Sequence, residues 1–405
     1  MDKTLGRHIK MALGYFLLAA LLGVLLRFYP VADLPVNYRY MVHTHSHIAL
    51  MGWVYLALTV ILCHCFLKRD AGQKKYRILF WATQGTLLGM LFSFPFQGYA
   101  LFSITFSTLF LFCSYLFFGF FVKHIRPGLQ GTPALYCVRA AFWYMVLSSI
   151  GPWALGGIMA TLGPGSIWYR LAIYFYLHFQ YNGWMVLALV GLLVFLLEQR
   201  GRMLPPDGFR RFYWTMNLGI VLSFFLSALW TGPHWSLFVL GGAGALLQLY
   251  ALGLLWQMVA RGKGIPPLSS LQARMLRAAT LFLGLKMAMQ LLTALPYFAR
   301  LAFSFLDFTI GYLHLTFLGV VSIGLFFFTD YWGLLRISKK AYTLYFLGFL
   351  ITEALIFYRG TAAWLSLPVF GGFSQGLALG SLLIPLALLA PLVHKRPNKP
   401  LPPRD

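Results

Sequence analysis

Long apolar runs alternate with short polar connections along the whole chain. Twelve such runs fall at about 9–29, 41–67, 77–99, 100–122, 134–160, 168–197, 210–231, 235–260, 271–296, 304–330, 339–358 and 371–393. Each is close to the length needed to cross a hydrocarbon core of roughly 30 Å. In lipid the backbone must satisfy its own hydrogen bonds, which leaves helices or a closed barrel. The runs are continuously apolar and do not alternate with a period of two, so the pattern predicts helices. The expected fold is an all-α polytopic membrane protein of about 12 transmembrane helices, a single membrane domain over residues 1–400.

Polar residues inside these runs stand out because ionisable groups in a bilayer are rare and tend to be functional. The second run opens on Tyr40-Met-Val-His43-Thr-His45-Ser-His47, three of the ten histidines of the chain. On a helix His45 points away from His43 and His47, so the three do not form one self-contained metal site. His47 begins a pattern that recurs: His47-x4-Gly52-Trp53, His178-x4-Gly183-Trp184 and His314-x4-Gly319-Val320. The intervals, 47 to 178 and 178 to 314, are 131 and 136 residues. Each copy lies in the second helix of a set of four, which predicts three repeat units at about 9–125, 134–260 and 271–394. Such units commonly enclose a functional site where they meet. The glycine five residues after each histidine removes side-chain bulk, so that a flat macrocycle or a neighbouring helix can approach. Neutral imidazole is a common metal ligand, and two histidines on facing helices could supply bis-imidazole ligation to haem iron. Arg39, Arg170, Arg300 and Arg359 stand near the other ends of spans, where they could pair with haem propionates or simply anchor the interface.

Composition agrees with this picture: 60% of the 405 residues are hydrophobic and 10% are charged. The net charge of +23 would suit nucleic acid, but its placement argues for topology. Twenty-five of the lysines and arginines fall on one side of the weave and five on the other, with Arg139 and Lys286 left within spans. The positive-inside rule reads this as both termini cytoplasmic in a bacterial inner membrane, with the bilayer as partner and no nucleic acid. Residues 395–405, basic and rich in proline, read as a cytoplasmic tail. The first run lacks a small-residue cleavage site and reads as a span, not a leader. The four cysteines lie in apolar context, where free cysteine is commonly buried and inert. Cys63 and Cys65 flank His64 but face opposite ways on a helix.

Twelve helices in three sets of four, with histidines on the second, sixth and tenth, resemble subunit I of the haem–copper oxidase superfamily. His45-x-His47-x4-Gly52-Trp53 and Tyr312-x-His314-x4-Gly319 are similar to the His-x-His-x4-Gly-Trp of helix ten in the C-type oxidases. The chain also resembles the NnrS family of haem- and copper-containing membrane proteins tied to nitric-oxide metabolism. The resemblance covers about residues 10–393. It implies haem b held by His47 and His314, and a copper site using His178 with His45 or His234. A redox partner subunit, or a quinol or cytochrome donor, is implied with them. Several positions depart from the oxidase pattern. Tyr312 stands where the oxidases place the ligand of their high-spin haem. The seventh helix lacks the histidine pair of the copper site, and Asn182 stands four residues after His178 where the oxidases have tyrosine. An oxidoreductase of the ordinary oxygen-reducing kind is therefore not implied. The expectation is electron transfer, or binding or reduction of a diatomic gas.

Arg139, Lys286 and Glu353 lie within spans and admit two readings, proton conduction or mutual satisfaction with neighbouring polar groups. Lys286 and Glu353 sit well inside. A rival reading keeps the fold without redox chemistry, as a transporter that uses Glu353, Lys286 and the histidines. A third is an accessory membrane protein without cofactors.

Overall fold

The structure, a computed structural model, describes residues 2–68, 72–261, 265 and 267–393. The expected tail at 395–405, and His394 at the end of the third repeat, lie outside the described residues. Among the described residues twelve helices are long and apolar enough to cross a membrane. They are α1 Thr4–Phe28, α2 Tyr38–Phe66, α3 Gln73–Gln97, α4 Leu101–His124, α5 Pro133–Thr161 and α6 Ile167–Glu198. They continue as α7 Pro206–Thr231, α8 Trp235–Arg261, α9 Ser270–Leu292, α10 Leu306–Tyr331, α11 Lys339–Trp364 and α12 Phe373–Val393. Among the described residues the only strand-like pairing is one antiparallel bridge, Leu67 with Ile125.

Local chemistry sets several of the starts. The Asn37 side chain accepts from Tyr40 N ahead of α2, and Ser166 accepts from Trp168 N ahead of α6. Thr132 accepts from Leu135 N with Pro133 in the first turn of α5. Ser269 and Gln272 form a reciprocal capping box at α9. Each satisfies amide donors that a helix start leaves unpaired.

Several boundaries differ from the hydropathy pattern, and two of the differences have a local cause. The ninth span stops at Leu292, and a separate short helix, Pro296–Ser304, follows before α10. Pro296 fits the first turn of this helix, where its missing N–H costs nothing. The eleventh span continues past Tyr358 to Trp364. Gly360 does not end it, because its bare Cα accommodates Asp307 and Phe308, whose side-chain atoms would stand 3.2 and 3.3 Å from an added Cβ.

The chain gathers into two compact units. Unit 1 comprises Met1–Leu129, Leu325–Tyr358 and Pro368–Asp405; unit 2 comprises Gln130–Gly324 and Arg359–Leu367. These compact units and the 131- and 136-residue sequence period are different divisions of the chain.

In unit 1, α1 lies against α2, and α2 is bonded to the end of α4. Lys68 N donates to His124 O at 3.2 Å, Arg126 N donates to Phe66 O at 3.0 Å, and the Arg126 guanidinium reaches Cys65 O. In unit 2, α5 packs along α6 and α7 along α8. Glu198 at the end of α6 accepts from Ala134 N at 3.0 Å, a carboxylate capping the start of α5.

The three histidine-bearing helices share a feature that the hydropathy pattern does not show. Each is α-helical up to the repeated histidine and then widens into a π-helical stretch: Ile48–Tyr55 after His47, Phe179–Met185 after His178 and Leu315–Ser322 after His314. Ordinary α-helix resumes at Leu56, Val186 and Ile323. Such stretches are rare and occur frequently at functional sites. Each packs on the first helix of its own set, α1, α5 and α9 respectively. At the first two of them the glycine after the histidine makes that approach possible. A Cβ on Gly52 would stand 2.8 Å from Tyr15 Cβ, and one on Gly183 would stand 2.5 Å from Tyr144 Cβ. Of the two neighbours expected beside these glycines, a helix occupies the place. The tryptophans that follow are buried on the same helices, Trp53 stacked on Phe16 at 4.9 Å and Trp184 against Phe142 at 4.9 Å.

Candidate functional site

His47 ends the α-helical part of α2, and its ring is fixed from both sides. Nδ1 lies 2.8 Å from His43 O. A nitrogen so close to a carbonyl oxygen carries the proton, so in the neutral ring Nε2 keeps its lone pair. Nε2 has the Tyr99 hydroxyl at 3.3 Å, and the ring lies 4.4 Å from that of Phe94. His43 packs edge-on against the same Tyr99 ring at 4.6 Å. His45 faces the other way, its Nδ1 2.8 Å from Ala19 O on α1. Helical periodicity thus sends His43 and His47 toward α3 and the loop after it, and His45 toward α1.

A histidine whose Nδ1–H is held by a backbone carbonyl and whose Nε2 lone pair is directed outward has the form of a metal-ligating imidazole. His47 therefore fits an axial ligand of haem. Arg39, exposed one turn before His43, is placed at the start of the same helix. His314 occupies the matching position in α10, half-buried at the junction of α- and π-helix. His47 belongs to unit 1 and His314 to unit 2.

His178 is different. It is buried, and both ring nitrogens hold protein partners. Nε2 donates to Ile220 O at 2.8 Å, and Nδ1 accepts from the Asn182 amide at 3.2 Å. Copper at His178 would have to displace one of these bonds. His234 is exposed, with Nδ1 beside Ser236 Oγ at 3.0 Å. Among the described residues no group of three or more His, Cys, Asp or Glu side chains is gathered to hold a metal ion.

Arg359 is already engaged. Its guanidinium makes a bidentate pair with Asp307, Nε donating at 2.9 and 3.0 Å and Nη2 also reaching the carboxylate. This forked geometry is the strong form of an ion pair. Propionate pairing expected at Arg359 would compete with Asp307. Arg139 donates to Gln130 at 2.7 Å near an exposed end. Glu353 is buried within unit 1, as are the thiols of Cys63 and Cys65, which form no disulfide.

Lys286 is fully buried in α9. Its ammonium donates to Asn182 Oδ1 and, at 2.5 Å, to Gln290 Oε1. The rings of Tyr181 and Tyr312 lie 5.2 and 5.6 Å away, within reach of cation–π attraction. The Tyr312 hydroxyl donates to Gln290 Oε1 at 3.3 Å. One continuous chain results, running from Ile220 O through His178, Asn182, Lys286 and Gln290 to Tyr312. It orients each amide in turn. The Asn182 nitrogen meets His178, so its oxygen meets Lys286. The Gln290 oxygen meets Lys286 and Tyr312, so its nitrogen points elsewhere.

Sequence reasoning named Lys286, His178 and Tyr312 but assigned no role to Asn182 and Gln290, which join them. The available signal was spacing: Asn182 lies four residues after His178 and Gln290 four after Lys286, which puts each pair on one helix face. Tyr99 and Phe94, which hold the His47 ring, gave no sequence signal in so aromatic a chain.

No protein-family model matches the chain, and no curated protein is detectably similar to it. The likeness to haem–copper oxidases rests on the histidine motifs and helix count alone.

Proposed function

We propose that this multi-pass membrane protein binds haem b, with His47 as an axial ligand and His314 as the second imidazole nominated by the sequence repeat. The proposed role is electron transfer, or the binding or reduction of a diatomic gas such as nitric oxide or oxygen. The observation that carries the reading is the His47 ring: its Nδ1–H is spent on His43 O, and its Nε2 lone pair faces only the Tyr99 hydroxyl, at 3.3 Å, which a metal would displace. The equal treatment of the three repeats, each turning from α- to π-helix directly after its histidine, supports a site built on those positions. Bound haem iron supplies one-electron exchange and affinity for small gases. The chain's own residues would hold the His47 imidazole in one tautomer and keep the surroundings apolar. Arg39 is available to a propionate. Copper at His178 would have to displace the bond to Ile220 or to Asn182, as iron at His47 would have to displace Tyr99. The uneven spread of lysine and arginine supports a bacterial inner-membrane setting with both termini cytoplasmic.

The test is a reduced-minus-oxidised optical spectrum of the purified protein, with and without nitric oxide. A Soret band lost in His47→Ala and in His314→Ala is expected, with His178→Gln retaining it. A wild-type protein without iron and without a Soret band sinks the reading and favours the rival, a membrane transporter free of redox cofactors.

A further inference from the structure

Unit 2 contains a cavity of about 200 Å³ bounded by α6, α7, α9, α10 and the short helix Pro296–Ser304. Its walls are largely apolar and aromatic, and its polar end is formed by Gln290, Tyr312 and His178. Among the described residues that line it there is no Asp or Glu.

Two features at that end are incomplete. Gln290 is 6% exposed, and its Nε2 has no hydrogen-bond partner. The amide cannot turn to relieve this, because Lys286 and Tyr312 already fix its oxygen. A buried donor left unsatisfied costs about 1–3 kcal/mol. The second feature is Lys286. Its hydrogen bonds go to two neutral amide oxygens, which solvate a cation without balancing its charge. Buried charges are ordinarily paired.

Several other polar groups of the cavity donate within the protein. Tyr312 donates to Gln290, Thr293 to Gln290 O at 2.7 Å, Thr309 to Ala302 O at 3.0 Å and Ser223 to Ile220 O at 3.2 Å. Among the described residues that line the cavity, Gln290 is the one with a fully buried side-chain polar atom that lacks a partner, its amide nitrogen. A second cation lies at the rim. The exposed Arg170 guanidinium sits 5.8 and 5.7 Å from the rings of Trp230 and Phe303, which line the cavity and stack on each other at 4.9 Å.

We propose that this cavity binds a small monocarboxylate with an apolar body. A carboxylate oxygen accepts from Gln290 Nε2, the charge balances Lys286, and the body fills the aromatic wall. Arg170 favours the approach of an anion over that of a neutral or cationic molecule. The cavity is too small to enclose a long acyl chain, so the acid comes from solution, not from the bilayer. The site lies wholly within unit 2 and does not depend on the haem assignment.

Equilibrium binding of radiolabelled benzoate to the intact protein in detergent tests this, with benzamide and palmitate as competitors. Benzoate is expected to bind saturably and benzamide, its neutral isostere, to bind at least about tenfold more weakly, the factor typical of a lost charge-assisted hydrogen bond. Gln290→Glu keeps the side-chain volume and places a resident carboxylate beside Lys286. It is expected to remain monodisperse and to lose benzoate binding. Absence of saturable binding by monodisperse wild type overturns the proposal. So does benzamide binding as tightly as benzoate, or unchanged binding in Gln290→Glu. Palmitate competing as well as benzoate overturns the assignment to a small soluble acid.

Discussion

The hydroxyl of Tyr99 stands 3.3 Å from Nε2 of His47, the one ring nitrogen that the His43 carbonyl leaves with a lone pair. Any metal taking that nitrogen displaces the tyrosine. Tyr99→Phe removes a competing donor without removing the ring that packs on His43 and Phe94. Haem titration of the variant is therefore expected to give a midpoint equal to or up to several-fold tighter than wild type, in line with the roughly 1 kcal/mol of an ordinary hydrogen bond. A lost Soret band in Tyr99→Phe, with the protein still folded, would show that the tyrosine and not the imidazole carries the binding.

The glycines of the repeat answer to a different test. Tyr15 Cβ and Tyr144 Cβ stand 2.8 and 2.5 Å from where Cβ atoms would lie on Gly52 and Gly183, so an added methyl must push two helices apart. Overpacking of this kind costs about 1–3 kcal/mol. Gly52→Ala and Gly183→Ala are each expected to lower the melting temperature in detergent. Gly14 is also helical, but it has nothing within 4 Å of its built Cβ. Gly14→Ala should hold or raise the melting temperature, since alanine is the better helix former by up to about 1 kcal/mol. Equal behaviour of all three would mean that close approach is not what the repeated glycine provides.

Most of the twelve spans were legible because a run of apolar residues long enough to cross a bilayer leaves little else to fold into. The ends were legible where a cap or a charge marks them, as at Asn37 and Ser269, and misplaced where hydropathy alone decided. Arg359 and Gly360 look like a loop, yet Asp307 neutralises the arginine and fits against the glycine, so the helix runs on to Trp364. The π-helical stretches were not legible. In a helix apolar on all sides, one extra residue in a turn leaves no break in the hydrophobic pattern. At the candidate sites the histidines and Lys286 were visible as polar letters in apolar runs. Their partners Asn182 and Gln290 were visible only as spacings, and which nitrogen of His178 or His47 carries the proton depends on carbonyls that no sequence pattern records.

The Asp307–Arg359 pair gives a third prediction. The arginine side chain is 35% exposed and the aspartate 17%, so solvent screens part of the attraction. A bidentate pair in such a setting is worth about 1 kcal/mol. A double-mutant cycle with Asp307→Asn and Arg359→Gln, read by melting temperature, should show a coupling of about that size. The Soret band should survive Arg359→Gln, because the guanidinium serves the carboxylate. Loss of bound haem in that variant, with stability unchanged, would instead assign Arg359 to a propionate.

The last prediction concerns Asn182, which gives its amide hydrogen to His178 and its oxygen to Lys286. Asn182→Leu removes both at once. The His178 acceptor is stranded, and the ammonium keeps only Gln290 as a hydrogen-bond acceptor. Leaving a buried charge poorly compensated costs about 3–5 kcal/mol, enough to expect little monodisperse protein. Removing the charge should rescue it, because an apolar side chain of similar length needs no acceptor. Asn182→Leu combined with Lys286→Met is therefore expected to yield more folded protein, with a higher melting temperature, than Asn182→Leu alone. Asn182→Asp should fold without that help, since a carboxylate beside Lys286 supplies the missing countercharge, although it gives up the donor to His178. If the double variant is no better than Asn182→Leu, the damage lies in the His178 contact or in leucine's shape, and Lys286 is not the charged centre that Asn182 serves.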